Sequence, residues 1–205
     1  MEPGDDPSDR LMNCLAVGGC VVLLQVAVAL GGGCREVVRD ASGRLVCTVD
    51  HRAGNAGTSR ATVRDASGRL LGTATTRVGA GGTARTEYRD ASGRLTGRAD
   101  TRRALGGAER TTFRDTSGRT TGTAESRHGI AGATDTRFRD ATGRLTATSR
   151  TNCNRSGTSC TTTRRDSSGR VLSTARRTGP AAGPGVGAAA GACPLVAPVR
   201  PAGRR

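Results

Sequence analysis

Lysine and tryptophan are missing from this 205-residue chain, and aromatic rings occur only at Tyr88, Phe113 and Phe138. Without lysine there is no phosphate-loop lysine, no Schiff base and no Ser–Lys pair. The two histidines, His51 and His128, fall at different positions of the repeats described below. No spacing resembles a zinc site or a catalytic triad. The chain is therefore read as not an enzyme, with no catalytic residue, metal ligand or cofactor assigned. An apolar fraction of 34% with three aromatics also supplies too few large side chains for a globular core of the usual kind. Gly, Ala, Thr, Ser and Arg provide the bulk instead.

Every one of the 32 basic residues is arginine, set against 17 acids, for a net charge of +15. A GC-rich coding sequence accounts for arginine replacing lysine, but not for the excess of bases over acids. The first ten residues hold four acids and one arginine, a net of −3, so residues 11–205 carry +18.

Residues 11–34, LMNCLAVGGCVVLLQVAVALGGGC, contain no charged side chain. A run of roughly 20 such residues can cross a bilayer as a helix. It also fits a secretory signal cleaved after Gly31 in an A-x-G context, and lipoprotein processing at Cys34 is a third reading. Residues 1–33 are thus a signal peptide or a membrane anchor, the chain's one route to a membrane if the segment is retained. An anchor would place the arginine-rich side in the cytoplasm.

What the chain does have is a phrase used six times. RDASGR stands at Arg39, Arg64 and Arg89, RDTSGR at Arg114, RDATGR at Arg139 and RDSSGR at Arg165. The period is 25 residues, lengthening to 26 once. D-x-S/T-G is turn chemistry: the Asp side chain accepts from the backbone two residues on, and the Gly takes a left-handed conformation. The turn set is Asp40, Gly43, Asp65, Gly68, Asp90, Gly93, Asp115, Gly118, Asp140, Gly143, Asp166 and Gly169.

After each turn the pattern alternates with period two, the mark of a strand with one buried face. Leu45, Leu70, Leu95 and Leu145 open that face, with Gly or Ala following at Gly72 and Ala74, or Gly97 and Ala99. Before each turn stands Val38, Val63, Tyr88, Phe113 or Phe138. Val63, Tyr88, Phe113 and Phe138 with the four leucines form the expected packing set. Each unit reads as a β-hairpin followed by a Gly-rich connection. The fold class is all-β: a tandem array of six hairpin repeats of about 25 residues over 34–177, either an elongated meander or solenoid-like. In the last unit Arg164 replaces the aromatic and Arg177 replaces Thr, Ser or His, as expected of a polar repeat ending an exposed edge. Residues 178–205 form a Pro/Gly/Ala-rich tail expected to be disordered.

The stretch TEYRDASGRLT, Thr86 to Thr96, resembles the YD repeat of the Rhs and teneurin-type surface and toxin proteins. That resemblance implies β-hairpins built into a shell or spiral.

Seven cysteines are present. Cys153 and Cys160 bracket the extra residue of the fifth unit and are placed for a cross-strand disulfide, while Cys34 and Cys47 flank the first turn and are expected to pair with some offset. Such bridges imply an oxidising compartment. Asn154-Arg155-Ser156 is an N-glycosylation acceptor pattern. Together these features lead to a secreted, disulfide-bonded structural repeat protein of the extracellular space or cell surface. It is expected to be glycosylated, and to associate with itself as a homo-oligomer or filament. The alternative is an arginine-rich module binding nucleic acid, acidic glycan or anionic lipid.

Overall fold

Each D-x-S/T-G phrase reverses the chain between two extended segments, and the Gly-rich connections reverse it again. The computed structural model describes residues 33–179, apart from residue 56 and residues 105–107 and 130–132. The apolar head and all of the tail beyond Gly179 lie outside the described residues. Twelve strands follow in chain order: β1 Cys34–Asp40, β2 Leu45–Ala53, β3 Thr58–Asp65, β4 Leu70–Val78, β5 Ala84–Asp90, β6 Leu95–Arg103, β7 Glu109–Arg114, β8 Thr120–His128, β9 Thr134–Asp140, β10 Leu145–Cys153, β11 Ser159–Asp166 and β12 Val171–Thr178.

All neighbours are antiparallel, and the sheet closes on itself. β12 pairs with β1 from Arg35↔Thr178 to Asp40↔Ser173. The all-β expectation holds, but the array is a closed barrel and neither an open meander nor a solenoid. Strand twist curls a long sheet, and pairing the last strand with the first satisfies the backbone groups that an open array would expose at both ends. The last unit therefore ends no exposed edge. Arg164 and Arg177 are buried, at 4% and 8% exposure.

Three layers of inward side chains fill the wall's inner face. Nearest the D-x-S/T-G turns are small residues: Cys47, Gly72, Gly97, Gly122, Ala147 and Ser173, all buried. The next layer alternates large and small around the barrel, with Val38, Val63, Tyr88, Phe113, Phe138 and Arg164 set against Val49, Ala74, Ala99, Ala124, Ser149 and Ala175. Within each hairpin the large residue also faces the small one of the first layer, as Phe113 faces Gly122. A Cβ at Gly122 would come within 2.6 Å of the Arg139 carbonyl oxygen, so this small layer lets neighbouring strands approach. Arg164 lies over the Phe138 ring, 4.9 Å from its centroid, taking the place of a sixth apolar side chain.

The third layer is polar. Hydroxyl pairs bridge successive hairpins at 2.8 Å: Thr76 with Thr86, Thr101 with Thr111, Ser126 with Thr136 and Thr151 with Thr162. At the closing seam the equivalent positions hold Glu36 with Arg177, and at the β2–β3 junction they hold His51 with Ala61.

Every hairpin carries a β-bulge, which corrects the simple alternation read from sequence. In β1–β2, Val38 pairs with Cys47 but Arg39 pairs with Leu45, leaving Val46 as the extra residue. Partners across a ladder share a face, so the bulge sets Leu45, Leu70, Leu95 and Leu145 opposite outward Arg39, Arg64, Arg89 and Arg139. These leucines are half-buried and lie outside the core cluster, which contains Val63, Tyr88, Phe113 and Phe138.

The outward positions are mainly Thr, Arg, Asp and Glu, unlike the continuous apolar band of a lipid-spanning barrel. Among the described residues, no helix is long and apolar enough to cross a membrane.

Candidate functional site

Strands alternate up and down, so all six D-x-S/T-G turns gather at one end of the barrel. In each, the Asp Oδ1 accepts from the backbone N–H two residues on, at 2.9–3.0 Å. The Ser or Thr hydroxyl donates to the same oxygen at 2.6–2.7 Å. The N–H four residues on adds a third bond at 2.9–3.0 Å. These donors, led by the hydroxyl, hold Asp40, Asp65, Asp90, Asp115, Asp140 and Asp166 below the ordinary carboxylate range. The first arginine of each phrase donates Nη1 to the turn glycine's carbonyl at 2.8–3.1 Å. The six glycines, Gly43, Gly68, Gly93, Gly118, Gly143 and Gly169, have φ between +83° and +88°.

Gly118 isolates the conformational requirement, because a Cβ there would meet nothing within 4 Å. Gly118→Ala is expected to lower stability by about 1–2 kcal/mol through the left-handed backbone alone. Gly118→Asn should lose less, since Asn tolerates that region. Urea titration of the two variants checks the order; equal losses would assign the cost to something other than φ.

The opposite end is where buried charge collects. Glu36, on β1, and His51, on β2, are 2% and 4% exposed, with His51 Nε2 3.9 Å from Glu36 Oε2. Burial pushes the Glu36 carboxyl up to about 8, opposed by the Arg177 guanidinium across the seam. Burial, aided by Arg177, holds the His51 imidazole down to about 3. Arg177 Nη2 lies 2.6 Å from Cys160 Sγ and 3.5 Å from the Gly157 carbonyl oxygen. Glu109, on β7, is 3% exposed and pushed up by burial to about 7, with Arg103 Nη2 3.7 Å away countering it. Near neutral pH, His51 is uncharged and Glu36 largely protonated, so this seam holds a buried polar cluster dominated by the charge of Arg177.

Two of the four cysteines singled out above do join. Cys153 pairs across the ladder with Cys160, and their sulfurs are bonded. The expected Cys34–Cys47 bridge is not formed: Cys34 is disulfide-bonded, but Cys47 keeps its thiol. Register explains this. Cys34 lies opposite His51 and Cys47 opposite Val38, four residues apart along the ladder. That is about 13 Å of strand, beyond the reach of a disulfide. Asn154 is exposed in the β10–β11 connection, where its Oδ1 accepts from the Ser159 N–H at 3.1 Å and its Nδ2 donates to Thr158 Oγ1 at 3.0 Å.

The buried cluster was visible as exceptions in the repeat columns. Glu36 and His51 stand where most other units carry Thr, Ser or Ala, with Arg177 in the same column as His51, but only ring closure brings Glu36 to Arg177. Among the described residues, no group of three or more His, Cys, Asp or Glu is placed to hold a metal ion. No protein-family model matches the chain and no curated protein is similar to it. The likeness of the turn phrase to YD repeats gains no support from these comparisons.

Proposed function

We propose that this chain is a non-enzymatic structural protein of the extracellular space or cell surface, built as one ring of six hairpin repeats. The observation that carries the reading is the Cys153–Cys160 disulfide in the connection between β10 and β11, a bond that persists in oxidising compartments. The layered interior supports it, because side chains occupy the inner face and leave the walls and ends to interact. Ring closure leaves no unpaired strand edge, so self-association runs through barrel ends or walls. The outward threonines and Asn154 offer sites for sugar.

The test is the intact mass of the protein isolated from its natural host, before and after reduction and deglycosylation. The expected result is a chain without its apolar head, gaining about two mass units per bridge on reduction and losing mass on deglycosylation. A full-length, sugar-free chain with every thiol reduced would overturn the proposal.

A further inference from the structure

Cross-strand partners on the outer wall contain an arrangement that ordinary sheets avoid. Arg52 lies directly opposite Arg60 on β2–β3, Arg77 opposite Arg85 on β4–β5, and Arg102 opposite Arg110 on β6–β7. All six are exposed. Like charges directly opposite each other destabilise a ladder, yet the same clash recurs at three successive hairpin junctions. It is not imposed by the repeat. The equivalent pairs are Arg127 with Asp135 on β8–β9 and Asn152 with Thr161 on β10–β11.

Acids on the wall neutralise the belt only in part, and Arg110 lies opposite Glu125 on β8. Arg85 Nε binds Asp100 at 3.0 Å. Among the described residues, no ion pair is formed by Arg52, Arg60, Arg77, Arg102 or Arg110. Elsewhere on the wall pairing is common, as in Arg35–Asp50, Arg98–Glu87, Arg127–Glu125 and Arg150–Asp135. One half of the barrel, β2 to β7, therefore carries three pairs of guanidiniums at equivalent positions of successive units.

We infer that this belt binds a linear acidic polysaccharide. Two guanidiniums whose backbones are about 5 Å apart can fork around one sulfate or carboxylate. That ligand would relieve the repulsion the pair carries when empty. Successive pairs are two strands apart, roughly 10 Å along the sheet. A polymer charged once per disaccharide suits that step better than nucleic acid, which carries a phosphate every ~3.4 Å of each strand. Nor does the surface offer bases a stacking platform: Tyr88, Phe113 and Phe138 are 1%, 2% and 1% exposed. The inference rests on the geometry of the wall, independently of where the protein resides.

The test compares two triple variants of equal charge in the full chain. Arg52→Gln/Arg77→Gln/Arg102→Gln removes one member of each belt pair. Arg44→Gln/Arg69→Gln/Arg94→Gln removes three exposed arginines from the turn end. Probes are a hyaluronan oligosaccharide and an unsulfated chondroitin oligosaccharide, each with one carboxylate per disaccharide, and a 20-base-pair DNA duplex, titrated calorimetrically at two salt concentrations. The belt variant is expected to lose about tenfold or more in affinity for the acidic sugars, and the turn-end variant about threefold or less. The belt variant should also melt higher than the parent, because the clashes are gone, which separates lost binding from lost fold. Equal losses in the two variants, no binding of either sugar by the parent, or tighter binding of the duplex would each overturn the inference.

Discussion

Replacing Glu36 with Gln is expected to raise stability at pH 9 by about 3–5 kcal/mol and to change it little at pH 4.5. The folded carboxyl holds its proton to about pH 8, whereas an unfolded one releases it near 4.5. Between those values the folded state binds more protons, so stability falls as pH rises. Glu109 adds the same sign up to about pH 7. His51 acts oppositely: its folded value near 3 lies below the ordinary 6.5, so the unfolded state binds more protons between them and stability rises with pH there. Two carboxyls outweigh the His51 imidazole above about pH 4.5, while burial lowers the His128 imidazole too and offsets part of this below pH 6.5. The turn aspartates lose their hydrogen-bonded charge in stronger acid. Maximal stability should therefore lie near pH 4.5–5, unusually acidic for so basic a chain. Glutamine keeps the shape of Glu36 and cannot ionise. Urea unfolding of parent and variant at pH 5, 7 and 9 reads the difference directly. Parallel pH profiles would mean that Glu36 is ionised throughout and that Arg177 outweighs burial.

Phe113→Ala is expected to cost about 3–5 kcal/mol at any pH. Phe113 is 2% exposed, and its immediate ladder neighbours, Gly122 and Ala99, are too small to collapse into the space. The six-membered layer of large residues already includes an arginine, so each apolar member covers more of the core than it would in a richer interior. Phe113→Leu should recover most of the loss, because volume and apolarity are largely kept. Thermal melting of the two variants tests this; a loss below about 1 kcal/mol for alanine would mean that the layer is loosely packed around the ring.

The strands and turns were legible because each hairpin is locally specified. Asp, Ser or Thr, and Gly sit where the turn needs them, and period-two alternation marks the flanking strands. Closure was not legible, because nothing within a 25-residue unit states how many units complete a circuit. The leucine column misled for a local reason: one bulge residue reverses every face before it, and Leu45 looks the same in sequence whether or not Val46 is paired. Arg164 and Arg177 read as the polar end of an array, yet both are interior residues. Their burial depends on β1 lying beside β12, a contact between residues about 140 apart in the chain. Cys34 and Cys47 were near neighbours in sequence but were separated by register.

The seam between β12 and β1 also makes the molecule a counting device. Four of its hairpin-to-hairpin junctions carry the same hydroxyl pair and β2–β3 sets His51 against Ala61, whereas the sixth joins Glu36 to Arg177 and appears once per circuit. A seventh unit would widen the circumference by about one-sixth and pull the layer of Tyr88, Phe113 and Phe138 away from its axis. A lost unit would crowd the same side chains together. Duplication of a 25-residue unit makes such length changes easy in a gene, and the ring makes them visible at once as a failure to fill its centre. Repeat number in this protein is thus held by geometry, in the way that an arch holds its number of stones.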